Sequence, residues 1–301
     1  MTAYSSQTYL GGCTLQKTAG QTTFAPVGTA WKIPITSATV YTPTNFVYPP
    51  VTAAGAGPTT GSQGKKSPVV TMTFPLRPNF VDTGSAYYYM TMFNELIGGL
   101  QTYLDTNKST SEWAIVLYEP INGQRLISVM KCMGCDFIYN ASGGPIMCQL
   151  TFCGLYGDVD TNPSPPTVSS FNAPSGGQDY GTADVAITGA DQVDGLTISL
   201  LRAQAVQQTA TGTVYGNAVT SGATGGTVSI AQSYTATTTA PTSISIGTTG
   251  NHGINIAFVI NLDVPATPWA LGRMTTTRSY SLVDFSGSTY TTAFPYLITA
   301  L

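Results

Sequence analysis

The chain has 301 residues, 42% of them apolar and only 8% charged, with a formal net charge of −3. Soluble domains usually carry about 25% charged residues, so Thr, Ser, Gly, Asn and Gln must cover the surface here, and so small a net charge does little to keep copies apart. This balance argues against a basic protein that grips nucleic acid. It leaves two readings: a hydroxyl-rich β-protein, or a subunit whose surface is buried against other subunits.

Neither half is basic. Through Asp160 there are eight basic and eight acidic residues; beyond it only Arg202, Arg273 and Arg278 stand against six acidic groups. No segment approaches the ~20 consecutive apolar residues that cross a bilayer, so no membrane partner is expected. The start, Met1 to Cys13, lacks the basic residues and apolar stretch of a secretory signal, which predicts synthesis and assembly in the cytoplasm. Five cysteines is an odd number, and four fall between Cys132 and Cys153. A disulfide framework would be spread more evenly, so thiols in a reducing compartment are expected.

Taken in chain order, Thr, Val, Tyr and Ile with Gly and Pro punctuation predict a mainly β protein. A first strand lies within Lys32 to Val40, and a long Thr/Ser/Gly-rich loop follows from Pro43 to Ser67. Val69 to Phe74 is a strand. From Ser85 to Leu104, Tyr88, Met92, Leu96, Leu100 and Leu104 recur every four positions and predict a helix capped by Ser85 or Thr83.

Trp113 to Tyr118 opens a meander. Asn122-Gly123 turns it, because both residues tolerate positive φ. Arg125 to Lys131 returns, Asp136 to Asn140 continues after a break at Gly134, and Ile146 to Phe152 closes a set of four strands. A Pro/Ser/Gly-rich linker, 161–178, separates a first β domain, 1–160, from a second, 179–301. The second unit follows a similar plan: strands at Leu196 to Leu200 and Ile254 to Leu262, a loop from Thr209 to Thr239, a short helix from Pro268 to Met274, and strands at Ser279 to Phe285 and Tyr290 to Leu301. The two long loops are expected either as disordered segments or as arms that order against a neighbouring subunit.

Catalytic chemistry finds little support. His252, in a turn by composition, is the only histidine, and there is no Gly-x-Ser-x-Gly elbow or phosphate-binding glycine loop. No enzyme activity, catalytic residue or cofactor is expected. Cys132, Cys135, Cys148 and Cys153 approximate the spacing of a zinc site. Alternation opposes it, because Cys148 and Cys153 are an odd number apart and Cys132 and Cys135 diverge unless Gly134 makes a knuckle. Core packing with no metal is the favoured reading.

The run Lys131 to Gly154 resembles the two-domain tail tube proteins of long non-contractile-tailed bacteriophages. Gly134-Cys135 opens a strand, Gly143-Gly144-Pro145 makes a small turn, and an alternating strand ends in Phe152-Cys-Gly154. The preceding strand and helix, the Pro-rich linker and Asp184-Val-Ala-Ile-Thr-Gly189 at the start of the second unit are similar to that plan. The resemblance implies two tandem β-sandwich or barrel domains, each with a flanking α-helix and a long loop. It also implies a structural virion protein that self-assembles into three-chain, pseudo-sixfold rings stacked as a tail tube. Its partners would be other copies, a tape measure and a tail terminator, with DNA passing through without specific binding. Asp184, Asp191 and Asp194, with Asp179 nearby, are candidates to face that channel; as Asp residues in turns they also read as merely solvated. Another β-rich virion subunit (capsid, decoration or fibre) and a carbohydrate-binding β-sandwich remain as alternatives.

Overall fold

Apolar residues alternate with Thr, Ser, Gln or Gly through much of the chain, and a period of two buries its apolar set only as paired strands. The computed structural model describes residues 11–18, 26–41, 44–47, 62–66, 68–76, 80–82, 85–87, 112–119, 123–158, 180–181, 184–189, 193–207, 218–233, 243–246, 252–257, 260–261, 275–281, 284–286, 289–291 and 297–300. These are mainly strand, paired antiparallel, and no α-helix occurs among them.

The first half contributes β1 (Gly11–Thr18), β2 (Pro26–Ile35), β3 (Ser37–Tyr41), β4 (Thr44–Val47), β5 (Ser62–Lys66), β6 (Val69–Pro75), β7 (Phe80–Asp82), β8 (Ser85–Tyr87), β9 (Glu112–Glu119), β10 (Gly123–Asn140) and β11 (Met147–Asp158). The second contributes β12 (Val185–Thr188), β13 (Val193–Gln207), β14 (Ala218–Ser233), β15 (Ser243–Ile246), β16 (His252–Ala257), β17 (Ile260–Asn261), β18 (Thr275–Ser281), β19 (Asp284–Ser286), β20 (Thr289–Thr291) and β21 (Leu297–Ala300).

In the first half the pairings close on themselves. β2 pairs β1, β1 pairs β9, β9 pairs β10, β10 pairs β11, β11 pairs β6, and β6 pairs β3. Only Thr36 separates β2 from β3, so both ends of this series belong to one bent strand. Thr36 holds the bend with its backbone N–H and its Oγ1, which donate to Thr73 O at 2.8 and 2.9 Å. Inside the ring lie Ile33, Met72, Phe74, Trp113, Ile115 and Phe152, all buried in one cluster. Burying a side chain such as Phe74 is worth about 1.5–3 kcal/mol over leaving it in water.

β10 joins the halves. β11 runs along one of its edges; the other is divided, with Gly123 to Lys131 pairing β9 and Gly134 to Asn140 pairing β13. The sheet forks there and continues through β13, β14, β18 and β17. A second sheet, β12-β15-β16-β21, contributes Ile244 and Ile246 to the cluster that also holds Phe137, Ile198, Val228, Ile230 and Tyr280. Both halves therefore share one continuous core.

Several sequence expectations are corrected. Ser85–Tyr87, placed at the start of a helix, is a strand paired with Phe80–Asp82. Aromatic residues such as Phe80 and Tyr87 favour strands. The rest of that helix, 88–104, and the expected helix 268–274 lie outside the described residues. β10 is unbroken at Gly134: Met133 is an extra residue opposite the Phe152–Thr151 step, a bulge rather than an interruption. The expected loop Thr209 to Thr239 contains β14, and His252, read as a turn residue, begins β16. Thr227-Val-Ser-Ile-Ala-Gln232 alternates as a half-buried strand should, but its hydroxyl-rich flanks resemble loop composition.

Candidate functional site

The face of the main sheet turned away from the core carries a row of polar residues in register. Ser37 pairs Thr73, Thr73 pairs Gln149, Gln149 pairs Asp136, Asp136 pairs Ser199, and Ser199 pairs Thr227, which continues to Ser281. The row crosses seven strands, or about 30 Å at the usual strand spacing. Gln149 Nε2 donates to Thr73 Oγ1 at 3.4 Å, and the hydroxyls of Thr71 and Thr151 lie 3.4 Å apart in the neighbouring row. Asp136 is the row's one ionisable group. Partial burial pushes its carboxyl above the usual range, opposed by a hydrogen bond from Ser199. On the other side, Ile138 is 37% exposed beside half-buried Met147 and Thr197. The row was legible as repeated polar-apolar-polar triplets, Thr71-Met-Thr73, Gln149-Leu-Thr151, Thr197-Ile-Ser199 and Thr227-Val-Ser229. What was not legible was that they align.

The cysteines divide between two faces. Cys148 and Cys153 point to opposite sides, as an odd separation demands. Cys132 and Cys135 do not diverge: the bulge at Met133 shifts parity by one, so Cys132 pairs Phe152, Cys135 pairs Leu150, and all four residues join the core. Cys135 Sγ and Cys148 Sγ are 3.9 Å apart, while Cys132 Sγ turns to Gly134 O at 3.5 Å. None of the four thiols is in a disulfide, and no described group of three or more His, Cys, Asp or Glu residues has metal-site geometry. Burial pushes up the thiols of Cys132, Cys135 and Cys148, which keeps them protonated and poor nucleophiles. Cys153 lies on the outer side with Val69 and Met133, across from Lys131, which is only 6% exposed. Burial raises this thiol to about 12 despite the pull of the Lys131 ammonium.

The acidic residues fall in separate places. Asp184 stands before β12, where its Oδ2 accepts from Gly181 N at 2.8 Å and its own N–H donates to Gly181 O at 3.1 Å. Asp194 is the extra residue of a bulge where β13 meets β14; its carbonyl accepts from Ala141 N at 2.9 Å, and its Oδ2 is shielded from solvent. Asp191 and Asp179 lie outside the described residues. Neither described acid lies on the polar row.

Tyr180 shows what the Gly143-Gly144-Pro145 turn supports. Its N–H donates to Leu76 O at 2.9 Å, its carbonyl accepts from Ile146 N at 2.7 Å, and Leu76 N donates to Ile146 O at 2.7 Å. Tyr180 is thus stitched between the ends of β6 and β11, with its ring in the core. Gly143 and Gly144 sit at φ values of 113° and 104°, which only glycine adopts without strain.

The main sheet also leaves edges. β13 and β14 remain paired from Arg202↔Thr224 out to Gln207↔Ala218, beyond the reach of β10 and β18, as a two-stranded arm. Among the described residues, β18 is covered on that side only by β17, at Tyr280 and Ser281. No protein-family model matches the sequence, and no curated protein is significantly similar to it.

Proposed function

We propose that this chain is the tail tube subunit of a long-tailed bacteriophage: a structural virion protein without catalytic activity, assembled in the host cytoplasm, whose copies join through sheet edges into stacked rings. The observation that carries this reading is the placement of the segment resembling that family. Residues 131–154 form the central β10–β11 ladder, the one element to which both the closed ring and the open sheet are attached. Two further features support it. Among the described residues, the edges at β18 and along the β13–β14 arm carry neither lysine nor proline, which normally help to prevent edge pairing. The low charge of the chain leaves copies little reason to stay apart. Partners on this reading are other copies in trimeric rings, the tape measure and tail terminator proteins, and DNA in transit.

Negative-stain microscopy of the concentrated purified protein tests it. Tubes of uniform width, with three subunits to a ring, are expected. A protein that stays monomeric at every concentration and salt condition would count decisively against it.

A further inference from the structure

The polar row has a composition that ordinary surface exposure does not require. Six residues on six adjacent strands, Ser37, Thr73, Gln149, Asp136, Ser199 and Thr227, present hydroxyls and an amide with one carboxylate and no cation. Surfaces normally mix charges of both signs. Among the described side chains on the outer side, the Lys131 cation is drawn in to 6% exposure opposite Cys153. Arg278, further along the sheet, pairs with Ile230 on the side facing the core. A row whose described side chains offer hydrogen-bonding groups and no cation suits contact with a polyanion that must not be held. Each phosphate neutralised would add salt-dependent affinity, while hydroxyls add almost none.

We infer that this row, and not the acids around Asp184 and Asp194, is the surface along which duplex DNA passes. The assignment rests on the tail tube reading and goes further by naming the wall. Asp136 adds mild repulsion at its centre, and the hydroxyls hold a water layer that phosphates can slide over.

The test places lysines on the row at its two exposed positions, Ser37→Lys and Thr227→Lys together, with Thr188→Lys on exposed β12 as the control. Tubes are polymerised in the presence of short duplex DNA. Two lysines per chain give about six per ring of three, so the double variant should retain DNA at 50 mM salt and lose roughly 10³-fold or more in affinity by 200 mM. Unaltered and Thr188→Lys tubes should retain none. If the double-variant tubes retain no more DNA than the control, the row is not the wall, although the tube reading stands. If unaltered protein forms no tubes, the tube reading itself fails and takes the assignment with it. If the folded double variant cannot assemble, the row is a contact between copies, and the inference is overturned. A Thr227→Cys variant bearing an aryl azide adds a readout without new charge. It should crosslink DNA in the tubes on illumination, whereas Thr188→Cys should not; the reverse pattern would also overturn the assignment.

Discussion

The two halves meet the same problem, how to end a sheet, in opposite ways. The first closes its strands into a ring through the bend at Thr36 and leaves no edge along that series of pairings. Among the described residues, the second covers β18 only at Tyr280 and Ser281, adds a separate four-stranded sheet, and extends the β13–β14 arm beyond its neighbours. Closure removes the template for pairing with other chains; an open edge supplies it. On the tail tube reading one half would serve as a foundation and the other as a connector, with β10 shared between them.

The largest test of this division concerns assembly. Replacing residues 203–223 with Asn-Gly turns the chain between Arg202 and Thr224 and removes the arm. The shortened protein should keep its urea midpoint and form no tubes; tubes of normal width would show that the arm is dispensable. Next is the shared strand. Phe137 is fully buried where β10 meets β13, and Phe137→Ala should cost about 3–5 kcal/mol. Because the core is continuous, both halves should unfold in a single shifted transition. Two separate transitions, one at the original midpoint, would mean the halves fold independently.

A smaller effect of opposite sign is expected in the second half. Gln232 on β14 is fully buried, and neither Nε2 nor Oε1 makes a hydrogen bond. An unsatisfied buried amide costs about 1–3 kcal/mol, so Gln232→Met, close in volume and apolar, should raise stability by about that much. A lowered urea midpoint would mean the amide has a partner after all. The smallest effect is confined to alkaline pH. Burial, and then the Asp184 carboxylate, raises the Tyr180 phenol from 10.0 to about 12. A folded value above the unfolded one means that this contribution is intact below pH 10 and is lost as pH rises toward 12. Tyr180→Phe should therefore flatten the decline of stability between those limits, and identical pH profiles would refute the link.

Legibility in the sequence followed the range of the interactions. The antiparallel pair β9–β10 and the strands at Val69 and Ile146 were plain because apolar alternation is a local signal, while Asn122 of the expected turn lies outside the described residues. β14 was hidden by composition: Thr, Ser and Gly mark loops far more often than strands, and only Val219, Val228 and Ile230 betray it. The polar row was visible strand by strand and invisible as a row, since it depends on pairings between residues as distant as Asp136 and Ser199. The relation between Cys132 and Cys135 turned on a single extra residue, Met133, whose bulge reverses the parity that simple alternation predicts.

The divided edge of β10 also sets a schedule for synthesis. Every strand of the closed ring lies before residue 159, so the ring can form while the rest of the chain is still on the ribosome. Its last act leaves Gly134 to Asn140 with one edge bare until their partners, Gly195 to Leu201, emerge. At roughly 5–20 residues per second, the ~40 residues from the end of β11 to those partners take about 2–8 s to translate. During that interval the nascent chain carries a strand edge with a single charged side chain, Asp136, in register for its own second half and equally able to capture the same segment from a neighbouring ribosome. Slow translation of the stretch between β11 and β13 would therefore favour exchange of second halves between chains, a hazard set by the fork rather than by the finished fold.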